Sequence, residues 1–360
     1  MAKSWAARSL PLMALLAGAA LPGGTAAQAR VPDVVTGRVI AAGGGDVRGV
    51  RVFARAGALA DSAMADSTGR FAVTLPGLAS TDSVELWVDA AEPGARAFHA
   101  ARLRLAPREV AREHEVVLVP LWWTIAAGRY AGRQVEVRLE RAFSGACAGC
   151  TGFFRRMTAT DALGRTWLQG WPAERFPLRV AFDREWSGEA VTARDSAAFW
   201  RETDELEETF GADVFRPANF LDAVPRESGG PDDVILVWFD PDMRGIGGIG
   251  TAVSDGHDIE YGDLRLNRGA LRESAANPGL VPHELMHTLG FGHTCAWRSV
   301  AADVRRCAHL RAPTATEEDV AYVQLAAEIR ALVRERRGRW ALEAALAAME
   351  APREAGLAAR

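Results

Sequence analysis

Between residues 31 and 120, hydrophobic and polar positions alternate in short runs broken by turn residues. Segments 35–40, 50–54, 70–75, 84–88 and 115–119 read as strands, separated by turns such as Gly43-Gly44-Gly45-Asp46 and Asp66-Ser67-Thr68-Gly69. Period-two alternation at this spacing predicts a small antiparallel β-sandwich over residues 30–120.

The pattern then changes. Residues 134–139 and 178–182 alternate like strands, while 233–239 is a nearly continuous apolar run, as expected of a strand buried on both faces. Two short strands are expected at 251–254 and 263–267. Residues 195–210 place Phe199, Leu206 and Phe210 near one face of a helix. A second helix is expected at 316–332, capped by Thr316, with Glu317, Glu318 and Asp319 complementing its dipole. The glycine-rich stretch 245–250 lacks the lysine and context of a phosphate loop and reads as a flexible turn bordering a cleft. The layout is a sandwich at 30–120, a connecting β region at 121–171, an α+β domain at 172–332 and a helical tail at 333–360.

Composition narrows the class. The net charge of −4 supplies no field for nucleic acid. Residues 1–29 read as a signal peptide: Lys3 and Arg8, an apolar stretch over 10–21, then Ala27-Gln28-Ala29 as cleavage site. No later stretch is long and apolar enough to span a bilayer, so the mature chain is expected to be secreted, extracellular or periplasmic, and monomeric. Export permits disulfides among Cys147, Cys150, Cys295 and Cys307. Two local bridges fit the spacing, with three pairings formally open.

Three of the seven histidines fall between positions 283 and 293. His283 and His287 are four apart, so on a helix both imidazoles share one face. Asn277-Pro278 reads as a start signal, and Val281, Leu285 and Leu289 would pin the helix to the core. Gly290 can end the helix in a left-handed turn. The chain would then bring back His293 as third ligand, leaving one position open, which marks a catalytic zinc site. Glu284, one step round from His283, reaches a zinc-bound water without ligating the metal. The expected chemistry is peptide hydrolysis, with zinc lowering the water's pKa and Glu284 as general base. Chance would produce these five positions roughly once in fifty thousand chains of this composition.

The arrangement His283-Glu284-x-x-His287-x-x-Gly290-x-x-His293 is the signature of the metzincin metallopeptidases. Residues 288–293 and the later Thr316-x-x-Asp319-Val320-x-x-Val323-Gln324 resemble the matrixin branch. The resemblance implies a twisted sheet above an active-site helix, with a protein or peptide substrate along an edge strand within 251–267. It also places Ser299-Val300-Ala301 at a turn that carries methionine in that family, with Ala301 in its place, and Asp303 where some branches have a tyrosine ligand. Cys295 and Cys307 flank this turn and are expected to pair. Thr36-Gly37-Arg38-Val39 and Asp66–Phe71 resemble the carboxypeptidase regulatory-like module, which implies an accessory role. His257 and His309 lack ligand spacing. The competing readings are a zinc-binding pseudoenzyme used for adhesion or recognition, and a carbohydrate- or surface-binding protein working through the sandwich. Retention of Glu284 weighs against the first. The few aromatics between residues 31 and 120 weigh against the second.

Overall fold

A computed structural model describes residues 33–335, apart from 91, 145–149, 161–165, 184–190, 219–232, 241, 244 and 274–277. The expected signal peptide, most of the C-terminal tail and the start signal at Asn277 lie outside these residues. The described chain is mixed and β-rich, with sixteen strands in five sheets and five α-helices.

Residues 33–120 form two sheets. One orders β4 (Arg70–Thr74), β1 (Val34–Ala41) and β7 (His114–Leu118); the other orders β3 (Leu59–Met64), β2 (Arg51–Ala56), β5 (Val84–Val88) and β6 (Ala101–Leu105). Alternate residues of both sheets, among them Val35, Val52, Val73, Leu86 and Leu103, bury a common core. The pairing departs from the expected all-antiparallel pattern, because β1 runs parallel to β7. Strands β3 and β6 were not expected from the sequence. β3 has no buried position, so its side chains lack the period-two signal.

A second core takes in Ala42, Val117 and Val119 and then runs from Trp123 to Ile329. It takes in residues of β8 (Trp122–Thr124), β9 (Gln134–Glu136), α1 (Leu139–Ser144) and β11 (Thr166–Leu168), which pairs with β10 (Thr158–Thr160). The segment read as a connecting region therefore shares the core of the segment that follows it. Its expected strand 134–139 stops at Glu136, and Leu139 opens a helix instead.

The sheet of this second body orders β13 (Phe215–Pro217), β12 (Leu178–Phe182), β14 (Val234–Phe239), β16 (Asp258–Leu266) and β15 (Gly248–Asp255). All neighbours are parallel except β15, which is antiparallel to β16 and carries no further strand among the described residues. Every residue of β14 is buried, as its unbroken apolar run requires. Helix α2 (Ala193–Phe210) is capped by Thr192 and Asp195 and packs Phe199 and Leu206 inward. Helices α3 (Arg268–Arg272), α4 (Leu280–Thr288) and α5 (Glu317–Glu335) complete the body, and α4 lies against β15 and β16.

The glycine-rich stretch is not simply a loop. Gly248 and Gly250 belong to β15, and a Cβ on Gly250 would lie 2.1 Å from the carbonyl oxygen of Glu284. Glycine is needed there because the strand crosses α4 at backbone contact.

Candidate metal centre

Helix α4 begins at Leu280, after an N-cap Gly279 whose backbone is left-handed (φ 84°) and which offers no side-chain cap. Glu202 of α2 accepts the N–H of Val281 instead, at 3.1 Å. At the other end, Trp171 Nε1 donates to the Thr288 carbonyl at 2.8 Å. Gly290 has φ +99°, and Phe291 N–H returns to the Met286 carbonyl at 3.0 Å. The helix stops as its sequence requires, and the chain doubles back. Thr151 Oγ1 then accepts the N–H of His293, and Phe153 O that of Gly292, which fixes the returning segment.

The structure brings the three predicted histidines together. Their Nε2 atoms are 3.0 Å (His287–His293), 3.2 Å (His283–His293) and 3.3 Å (His283–His287) apart. His283 Nδ1 lies 2.8 Å from the Val300 carbonyl, and His287 Nδ1 lies 2.7 Å from the Phe291 carbonyl. A carbonyl only accepts, so both Nδ1 atoms carry protons and both Nε2 lone pairs face the common point. Burial pushes His283 down to about 3 and His287 well below its usual range, which keeps the imidazoles neutral. Nitrogens bound at about 2.0–2.1 Å to a tetrahedral ion would lie about 3.3 Å apart, so the trio could hold a metal ion.

Glu284 is buried one step away. Its Oε2 accepts the N–H of Gly250 at 2.6 Å, which ties the carboxylate to the edge strand. Burial raises its pKa to about 7, against the pull of Gly250 N–H, Arg311 and Arg156. A carboxyl whose pKa lies near neutrality is suited to accept and return a proton.

The turn under His283 is held from across the fold. Asp319 of α5 is fully buried and accepts from Trp297 Nε1 (2.9 Å), Ser299 Oγ (2.6 Å), Val300 N–H (2.9 Å) and Thr316 N–H (3.0 Å). The sequence pattern singled out Asp319 only as part of a motif and as a helix-start charge. Its grip on the turn was not foreseen. Ala301 is fully buried in the second core. Asp303 lies outside the histidine trio, accepting the Arg305 N–H at 2.9 Å. Cys295 and Cys307 are disulfide-bonded to each other across the turn, as expected. His257 packs against Trp167, away from the trio. Arg156 and Arg311, which sequence reasoning missed, line the cleft with Glu284 and the histidines.

No family model and no curated protein matches the chain. Among solved structures, one similarity is to a 5-hydroxyisourate hydrolase of Klebsiella pneumoniae. It is 15% identical, covers 29% of this chain and 97% of that one, and has a TM-score of 0.22, too low to carry an argument.

Proposed function

We propose that this protein is a secreted zinc-dependent metalloendopeptidase of metzincin type, with an N-terminal accessory sandwich of the carboxypeptidase regulatory-like kind. The carrying observation is the trio of inward-facing Nε2 atoms, 3.0–3.3 Å apart, beside a buried glutamate that is not one of them. His283, His287 and His293 would hold the zinc. When bound, zinc supplies a Lewis acid and acidifies a coordinated water.

The chain's own groups supply the rest. Glu284 is held through Oε2 by Gly250, leaving Oε1 to take a proton and later deliver it to the leaving amine nitrogen. Strand β15 has its N–H and C=O groups at Gly250 turned away from β16, toward Glu284 and Arg156. That edge can bind an extended peptide by strand addition. It begins at Gly248, slightly before the segment 251–267 expected for it. The five-stranded sheet with one antiparallel edge strand over α4, and the turn under His283, support the metzincin reading.

The test uses the mature chain loaded with one equivalent of zinc and a broad quenched-peptide library. Cleavage should be lost with a chelator and restored by zinc, and His287→Ala should no longer retain stoichiometric metal. Glu284→Ala should keep its zinc and fold but lose about 10²–10⁴ in rate. Zinc-loaded wild type that cleaves nothing would favour the pseudoenzyme reading. Equal cleavage by Glu284→Ala would exclude this mechanism.

A further inference from the structure

The cleft over the trio has a volume of about 680 Å³, and its charged lining is dominated by arginine. Among the described residues, Arg156, Arg305, Arg306 and Arg311 line it, with Glu284 and Asp303 as acids. Asp303 is already engaged, lying 3.9 Å from Arg306 Nε and accepting the Arg305 N–H. Glu284 is tied to Gly250. The lining therefore has more positive charge than its own acids can balance.

Two of the arginines, the exposed Arg156 and the half-buried Arg311, lie close enough to Glu284 to act on its charge. Arg156 follows the buried Phe153-Phe154 pair, and its Nη1 lies 3.5 Å from the Gly250 carbonyl, beside the edge strand where a substrate backbone would run. Arg311 lines the same cleft, with Leu280 and Gly247. Its Nε and Nη2 are shielded from water and have no acceptor among the described residues. A shielded guanidinium donor without an acceptor is costly. Glu284 and Glu202 act on Arg311 electrostatically, yet neither hydrogen-bonds to it. Arg311 also lines the cleft, and a guanidinium at a cleft wall suits the oxygens of a carboxylate.

Building on the peptidase reading, we propose that the cleft selects substrates bearing a carboxylate beside the scissile bond, and that Arg311 receives it while Arg156 adds positive charge to the same cleft. The carboxylate can come from an Asp or Glu side chain or from the substrate's own C-terminus. The first makes the enzyme an acid-preferring endopeptidase. The second makes it release residues from chain ends.

The test pairs quenched peptides that differ only in Glu against Gln, or Asp against Asn, at each position flanking the cleaved bond. A parallel pair carries a free or an amidated C-terminus. Zinc-loaded wild type should prefer one acid form by about ten- to a hundredfold in kcat/KM, the range given by charge-assisted hydrogen bonds. The preference should shrink with added salt. Arg311→Gln should bring the ratio toward one, Arg311→Lys should keep part of it, and thermal melting of each variant checks the fold. The pair that responds identifies the source of the carboxylate. Equal kcat/KM for acid and amide forms in wild type, or an unchanged ratio in Arg311→Gln, would overturn the proposal. If no peptide is cleaved, the peptidase reading fails separately. Binding of the same labelled peptides to zinc-loaded Glu284→Ala, by fluorescence anisotropy, then decides charge selection alone: equal affinities for Glu and Gln forms overturn it.

Discussion

Replacing Asp319 with asparagine should loosen the metal centre from a distance, because this one side chain ties the turn under His283 to α5. Asp319 Oδ1 serves Trp297 Nε1 and Ser299 Oγ, and Oδ2 serves the N–H groups of Val300 and Thr316. An amide offers NH₂ where one of those oxygens stood. In one orientation it faces Trp297 and Ser299, and the hydroxyl can turn to accept. In the other it faces Val300 and Thr316, and the half-exposed Thr316 N–H can reach water. Either way one fixed, buried donor loses its acceptor, at about 1–3 kcal/mol. Burial pushes the Asp319 carboxyl up against the pull of its four donors, so losing the charge relieves part of that cost. The expected loss is about 1–2 kcal/mol in denaturant unfolding of the metal-free protein. Val300 carries the carbonyl that orients His283, so zinc affinity should also fall about 10–100-fold, read by competition with a chromophoric chelator. A variant with wild-type stability and wild-type zinc affinity would show that Asp319 does not position the site.

Other outcomes follow from the same geometry. Gly250→Ala places a methyl 2.1 Å from the Glu284 carbonyl oxygen, so β15 must lift from α4 at a cost of about 1–3 kcal/mol or more; a melting temperature equal to wild type would refute the close approach. Mass spectrometry of non-reduced digests should find the Cys295–Cys307 link, and replacing both with serine should cost about 2–4 kcal/mol; free thiols at both positions would exclude it. Burial lowers the pKa of His99 and His114, so the unfolded chain takes up protons that the folded chain does not. Their stabilising effect is whole above about pH 6.5 and is lost as pH falls below it. His114→Gln should flatten that slope between about pH 7.5 and about pH 5.5, and an unchanged slope in urea unfolding would count against it.

The site was legible where its parts are neighbours in sequence. The helical spacing of His283 and His287, the turn at Gly290 and the return of His293 all appear as expected, because 3.6-residue periodicity and glycine's left-handed conformation act within a dozen residues. The start of α4 was less legible. Its cap comes from Glu202, far along the chain, and the local residue at the cap position is a glycine without a side chain to signal it. The glycines of β15 read as a flexible turn because close backbone approach and flexibility call for the same residue. The parallel pairing of β1 with β7 left no mark, since alternation reports which face is buried and not the direction of the neighbour.

By itself, then, the sequence determined the period of each well-patterned element, the spacing that brings His283, His287 and His293 together beside Glu284, and the pairing expected of Cys295 with Cys307. The tertiary structure decided what stands around them. Strand order made β15 the edge beside Glu284, and the packing of α5 put Asp319 under Val300. The same fold set Arg156 and Arg311, 155 positions apart in the chain, on one cleft. Side chains within one helix and its turn are brought together by local backbone geometry. Polar groups that converge from separate elements are specified by sheet order and helix docking, which non-local burial of apolar side chains sets and no local pattern records.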